Sequence, residues 1–70
     1  MEMIHVSSSS ISMIGYDQEH GTLRVVFHDS GVYDYHGVPL NVAHSFLRAP
    51  SKGKFYVSFI KGRFSPVRIQ

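Results

Sequence analysis

Seventy residues, 43% of them hydrophobic and 17% charged, suffice for one small domain and leave no room for a second hydrophobic core. The absence of cysteine excludes a disulfide framework and a thiolate metal site. The chain has no run of about 18 apolar residues that could span a membrane, and it does not begin with a basic, apolar leader. We therefore expect a cytoplasmic protein.

The formal net charge of +2 is distributed unevenly. Residues 1–35 carry five carboxylates and one arginine, whereas residues 36–70 carry six lysines and arginines and no carboxylate. A cationic segment of this kind attracts polyanions, and salt weakens the attraction. The alternative explanation is an ordinary charged surface that keeps a small protein soluble.

Hydrophobic alternation predicts three strands, at residues 11–16, 22–27 and 32–36, separated by polar loops that contain glycine. In the first strand we expect Ile11 and Met13 on one face and Ile14 on the other. Such short loops join antiparallel neighbours, so the three strands form a meander. Tyr33 and Tyr35 then share one face of the third strand.

Two short helices are predicted after the strands. The first covers residues 39–47, because Pro39 suits an initial helical turn and Pro50 stops the helix. Residues 54–60 fit either a strand or a helix, and Ser51 as an N-cap together with Gly62 as a stop favours the helix. The tail is expected to pack as an irregular strap. The predicted fold is α+β, a three-stranded antiparallel meander packed against two short helices.

Several landmarks follow one another along the chain: Ser8-Ser9, Ile14-Gly15-Tyr16-Asp17, Thr22-Leu23, Tyr33-Asp34-Tyr35, Val38-Pro39, the stretch from Ala49 to Phe55, and Ile60. The order of these landmarks resembles that of the KTSC domain family, and the resemblance covers residues 7–64. We expect the whole chain, residues 1–70, to form a single domain of this kind. The family is named for its occurrence at the C-terminus of some lysyl-tRNA synthetases, and it also occurs as a small free-standing bacterial or phage protein. The resemblance implies suspected RNA binding. The sequence departs from the family at Tyr56-Val57-Ser58, where an aromatic residue followed by asparagine is frequent.

The basic half of the chain interleaves cations with aromatic residues. Phosphates are bound by lysine and arginine, and unpaired bases stack on flat rings. We predict that the nucleic-acid-binding residues are Arg48, Lys52, Lys54, Tyr56, Lys61 and Arg63. Tyr33 and Tyr35 form a second stacking pair if their sheet face is exposed, and belong to the core if helices cover it. Phe55 and Phe59 are expected in the core.

The five histidines form no recognisable metal-binding motif, because HxH and HExxH are both absent. His44 and Ser45 are adjacent on a helix and cannot face each other as a base and a nucleophile. We therefore predict a protein that is not an enzyme and that uses no metal or cofactor.

Two functions remain open. The first is a small non-catalytic module that binds RNA, another nucleic acid or a nucleotide. The alternative is protein association, because Ile14 and Val26 indicate apolar groups on both sheet faces that a homodimer or a docked partner would cover. In a phage-type homologue such a partner would be a host factor that the protein regulates or inhibits.

Overall fold

Five antiparallel strands lie side by side in chain order: β1 (Met3–His5), β2 (Ile11–Asp17), β3 (Thr22–Phe27), β4 (Gly31–Tyr35) and β5 (Pro66–Arg68). The computed structural model describes residues 1–70. Between β4 and β5 the chain forms helix α1 (Leu40–Arg48) and helix α2 (Lys52–Phe55), which continues as a π-helical turn (Tyr56–Ile60). The α+β class is confirmed.

The sheet has five strands, so the expectation of three is wrong. Both additional strands are only three residues long and lie at the edges, β1 beside β2 and β5 beside β4. Pro66 is tolerated as the first residue of β5 because an edge strand does not need every backbone donor. The tail therefore pairs with the sheet and does not form an irregular strap.

A β-bulge in β2 changes which side chains reach the core. Ile11 is opposite Phe27 and Met13 is opposite Val26, so one extra residue is inserted between the two pairs. Ile11 and Ile14 are both fully buried as a result, while Met13 lies on the other face. The expectation that Ile11 and Met13 share a face is wrong.

Both helices begin and end where the sequence indicates. Pro39 is the N-cap of α1, and the helix ends before Pro50. The Ser51 hydroxyl accepts a hydrogen bond from the backbone N–H of Lys54 and caps α2. Residues 54–60 are helical throughout, which confirms the helix and not the strand for this stretch. The backbone N–H of Lys61 donates to the carbonyl of Tyr56, the wider i to i+5 pattern of a π-helical turn.

The core lies between one sheet face and the helical segments. Its nine buried hydrophobic residues are Ile11, Ile14, Leu23, Val25, Tyr35, Val38, Ala43, Phe46 and Ile60. Tyr16 lies at the edge of this core and donates its hydroxyl hydrogen to the Val38 carbonyl. No buried side-chain nitrogen or oxygen lacks a hydrogen-bond partner. None of the helices has the length and apolar character required to cross a membrane.

Candidate nucleic-acid interface

An open cavity of about 360 Å³ lies where the β3–β4 hairpin meets the π-helical turn. Four of the residues that line it are aromatic, and the complete lining consists of Phe27, Ser30, Tyr33, Tyr35, Tyr56, Lys61 and Pro66. We term this cavity the tyrosine pocket. It joins residues that are up to 39 positions apart in the sequence, so only the folded chain creates it.

Phe27 fixes the orientation of two tyrosine rings in the pocket. Its ring packs edge-to-face against Tyr33 at 5.8 Å between centroids and against Tyr56 at 5.2 Å. Edge-to-face contacts are a favoured arrangement of aromatic quadrupoles. All three residues are half-buried, so the aromatic walls of the pocket pack against one another and are still accessible to solvent.

The hydroxyl groups of Tyr35 and Tyr56 share a hydrogen bond of 2.6 Å. Tyr35 is only 2% exposed, so it belongs to the core and contributes little accessible surface to the pocket that it lines. Of the predicted stacking pair, Tyr33 is therefore the accessible ring. Burial and the hydrogen bond to Tyr56 raise the pKa of Tyr35 above its ordinary value of 10.0. The phenol is consequently neutral at physiological pH.

Two cations border the tyrosine pocket. Lys61 lines it directly. The Arg68 guanidinium carbon lies 5.9 Å from the centre of the Tyr33 ring, within the range of a cation–π interaction. Arg68 was not among the predicted residues, because the β4–β5 pairing that places it opposite Tyr33 was not expected. A strand of three residues leaves no periodic signal in the sequence.

A second aromatic cluster is formed by Phe46, Phe55 and Phe59. Phe55 stacks on Phe46 at 5.3 Å between ring centroids and is tilted by 38° against Phe59 at 4.8 Å. Phe59 is 50% exposed at the end of this cluster, contrary to the expectation of a core residue, and we term this exposed end the Phe59 surface. Phe59 lines two cavities, one together with Lys54 and the other together with Arg63.

The two remaining predicted cations lie apart from these aromatic surfaces. The Lys52 ammonium donates a hydrogen bond to the carbonyl of Ala49 and lines a cavity beside β1. Arg48 is exposed at the end of α1 and lines none of the five cavities. The predicted residues are thus divided between the tyrosine pocket, the Phe59 surface and two separate positions.

The cations of residues 36–70 are not neutralised by carboxylates. The ion pairs in the structure are Arg24 with Asp34, at 2.7 Å, and His20 with Asp17, at 2.8 Å. Both pairs lie within the first half of the chain. Asp34 also projects from the sheet face opposite to Tyr33 and Tyr35, because side chains alternate along a strand. The positive charge of the second half is therefore available to an anionic ligand.

Three of the five histidines have separate local partners. His28 contacts the Ser8 carbonyl and His36 contacts the Thr22 hydroxyl. His20 lies within 4.8 Å of Asp17 and Glu19, but the Asp17 carboxylate already accepts hydrogen bonds that close the β2–β3 loop. The absence of a metal site stays a prediction.

Comparisons with known proteins agree with one another. The sequence model of the KTSC domain family matches residues 7–64. The chain is 37% identical over 62 residues to a lysine–tRNA ligase of Nostoc punctiforme and spans only 11% of the length of that enzyme. It is 34% identical over 61 residues to a protein of Stutzerimonas stutzeri and covers 86% of it. The crystal structure of a KTSC domain protein from Yersinia pestis superposes with a TM-score of 0.97 at 40% identity, covering 99% of this chain and 97% of that one.

Proposed function

Because the chain belongs to the KTSC domain family, we propose that it is a non-catalytic module that binds single-stranded nucleic acid, RNA above all. Binding would use two parts of the surface, the tyrosine pocket with Lys61 and the exposed Phe59 ring with Lys54 and Arg63. The tyrosine pocket is lined by neither a carboxylate nor an imidazole, the groups most often used for proton transfer. Its composition thus favours binding over catalysis.

The observation that supports this proposal most directly is the position of unpaired cations beside accessible rings. Lys61 lies at the pocket that contains Tyr56, and Lys54 and Arg63 flank Phe59. Cations neutralise phosphates and release counterions, while each base stacked on an aromatic ring adds about 1–3 kcal/mol. A flexible single strand is able to use both contributions.

The relatives favour RNA over DNA. Several of them are lysine–tRNA ligases, enzymes whose name contains tRNA, and this chain corresponds to about a tenth of their length. A domain joined to such an enzyme would be held close to RNA.

The proposal is tested by titrating the protein into a fluorescently labelled single-stranded RNA and following anisotropy at several salt concentrations. We expect affinity to fall steeply as salt rises, with a slope that reports the number of phosphate contacts. Lys61→Glu and Arg48→Glu change the net charge equally, but only Lys61 lies beside aromatic rings. Lys61→Glu should therefore weaken binding more, and Lys52→Glu with Lys54→Glu should reduce the salt slope.

Absence of binding at low salt, or binding that does not respond to salt, would contradict the proposal. Equal effects of Lys61→Glu and Arg48→Glu would show that net charge alone attracts the RNA and that the aromatic surfaces contribute nothing.

Self-association is a second candidate function, and one face of the sheet favours it. Met13, Val26 and Val32 form a row across three strands on the face that the helices do not cover, and Val67 and Ile69 are 49% and 41% exposed near the edge. A second copy of this chain would cover such a face. Sedimentation of the native protein and of Val26→Asp at increasing concentration tests this, and a constant monomer mass would contradict it.

A further inference from the structure

We infer that the tyrosine pocket binds one unpaired nucleobase together with its phosphate. This inference rests on the proposed function and deepens it. It identifies the tyrosine pocket as the part of the surface that binds unpaired bases and does not bind paired ones. Three features of the pocket support the assignment: its walls, its hydroxyl groups and its cations.

The walls are suited to a flat ligand. Tyr33 and Tyr56 are half-buried and are held at nearly right angles to Phe27, with interplanar angles of 77° and 75°. Their orientation is fixed before a ligand arrives, so little side-chain entropy is lost on binding. A base could stack on either tyrosine, which is the usual way in which proteins hold splayed-out bases.

The hydroxyl groups provide polar partners for the edge of a base. Tyr35 and Tyr56 together have two O–H donors, and their mutual hydrogen bond uses only one of them. The other O–H and the free lone pairs remain for a ligand, and the Ser30 hydroxyl lies on the same lining. An aliphatic ligand would leave these groups unpaired, whereas a base carries donors and acceptors on its edges.

The cations are placed for the phosphate of the same nucleotide. Lys61 lines the pocket, and Arg68 lies over Tyr33 at its border. Neither side chain forms an ion pair with an aspartate or glutamate. Arg68 donates its Nε hydrogen to the backbone oxygen of Gln70 at 3.1 Å, which leaves its other guanidinium nitrogens for a phosphate. A neutral aromatic ligand would not use these charges, so charge complementarity favours a nucleotide.

The first experiment uses the unmodified protein labelled with ¹⁵N and three probes: uridine 5′-monophosphate, adenosine 5′-monophosphate and inorganic phosphate. We expect the nucleotides to shift the amide signals of Tyr33, Tyr56 and Lys61, and phosphate alone to shift Lys61 without the tyrosines. If phosphate alone causes the same shifts as the nucleotides, the pocket binds only an anion and the inference is wrong. The inference is also wrong if the nucleotides shift only the signals of residues around Phe59.

The second experiment compares two variants that each remove one ring. Tyr33→Leu should weaken binding of the nucleotide that gives the larger shifts by about 5- to 150-fold, the range expected for the loss of one stacked base. His44→Leu removes an exposed imidazole ring on α1 that lines none of the five cavities, and it should leave mononucleotide affinity unchanged. Tyr33→Phe keeps the ring and should bind as the native protein does, and thermal unfolding of each variant identifies any that fail to fold.

The two proposals can fail separately. If a single-stranded RNA binds in a salt-dependent manner but Tyr33→Leu has no effect on it or on the mononucleotide, the pocket assignment is wrong and the proposed function stands. If neither RNA nor mononucleotide binds, both are wrong. If the assignment is correct, Tyr33→Leu weakens single-stranded RNA and leaves duplex RNA unaffected, because a paired base cannot enter the pocket.

Discussion

The hydroxyl oxygens of Tyr35 and Tyr56 lie 2.6 Å apart and join β4 to the π-helical turn. The two rings also meet edge-to-face, with centroids 6.0 Å apart. One contact thus attaches the helical segment to the sheet and supplies the hydroxyl groups of the tyrosine pocket. Changes to either tyrosine should therefore affect both stability and the candidate site.

The shared hydrogen bond predicts unequal effects of removing its two hydroxyls. Tyr56→Phe leaves the buried Tyr35 hydroxyl without its partner and should lower the free energy of unfolding by about 1–3 kcal/mol. Tyr35→Phe leaves the half-buried Tyr56 hydroxyl able to reach water, so we expect a loss of about 1 kcal/mol or less. Urea unfolding of both variants measures these losses.

The double variant completes the comparison. Removal of both hydroxyls leaves no unpaired polar group, so the combined loss should be smaller than the sum of the two single losses. Strictly additive losses would show that the two hydroxyls do not interact in solution.

The raised pKa of Tyr35 predicts a loss of stability at alkaline pH. Its phenol ionises at higher pH in the folded chain than in the unfolded chain, because burial and the bond to Tyr56 disfavour the phenolate. The stabilisation from this group is complete below about pH 10, the ordinary pKa of tyrosine, and is lost as the pH rises further. Phenolate absorbance should show that one of the four tyrosines ionises only as the chain unfolds.

Tyr35→Phe should abolish that late ionisation, whereas Tyr33→Phe should leave it in place. If the late component persists in Tyr35→Phe, another tyrosine is responsible.

The ion pair on the opposite sheet face predicts a loss of stability in acid. Arg24 contacts both carboxylate oxygens of Asp34, at 2.7 and 2.9 Å, and lowers the pKa of Asp34 below its ordinary value of 3.8. The unfolded chain therefore takes up the proton more readily than the folded chain. The stabilisation is present above about pH 4 and is lost as the pH falls through the folded pKa.

Asp34→Asn should flatten this acid dependence of the urea midpoint. Asp29→Asn serves as the control, because Asp29 is exposed in the β3–β4 turn and has no ion-pair partner. An equal flattening in both variants would mean that the ion pair contributes no pH dependence of its own.

The sequence was sufficient to predict the elements that have a clear period or a clear signal at their ends. Alternation placed Tyr33 and Tyr35 on one face, and the Ser51 cap favoured the second helix. A strand of three residues is too short to show a period, so β1 and β5 were missed, and with β5 the position of Arg68 beside Tyr33. The tyrosine pocket depends on that pairing and on a contact between residues 21 positions apart, which no local pattern reveals.

The bulge in β2 determines whether a substitution at Ile14 or Val26 affects folding stability or self-association. Ile14 is fully buried beneath the helices, whereas Val26 is half-buried on the uncovered face. Ile14→Ala should lower the free energy of unfolding by about 2–4 kcal/mol through the cavity that it creates, and Val26→Ala by about 1 kcal/mol or less. A charge at Ile14 would therefore test folding, and only a charge at Val26 tests association. Equal losses in urea unfolding would contradict the bulged register, because an unbulged strand would return Met13 to the core and turn Ile14 outwards.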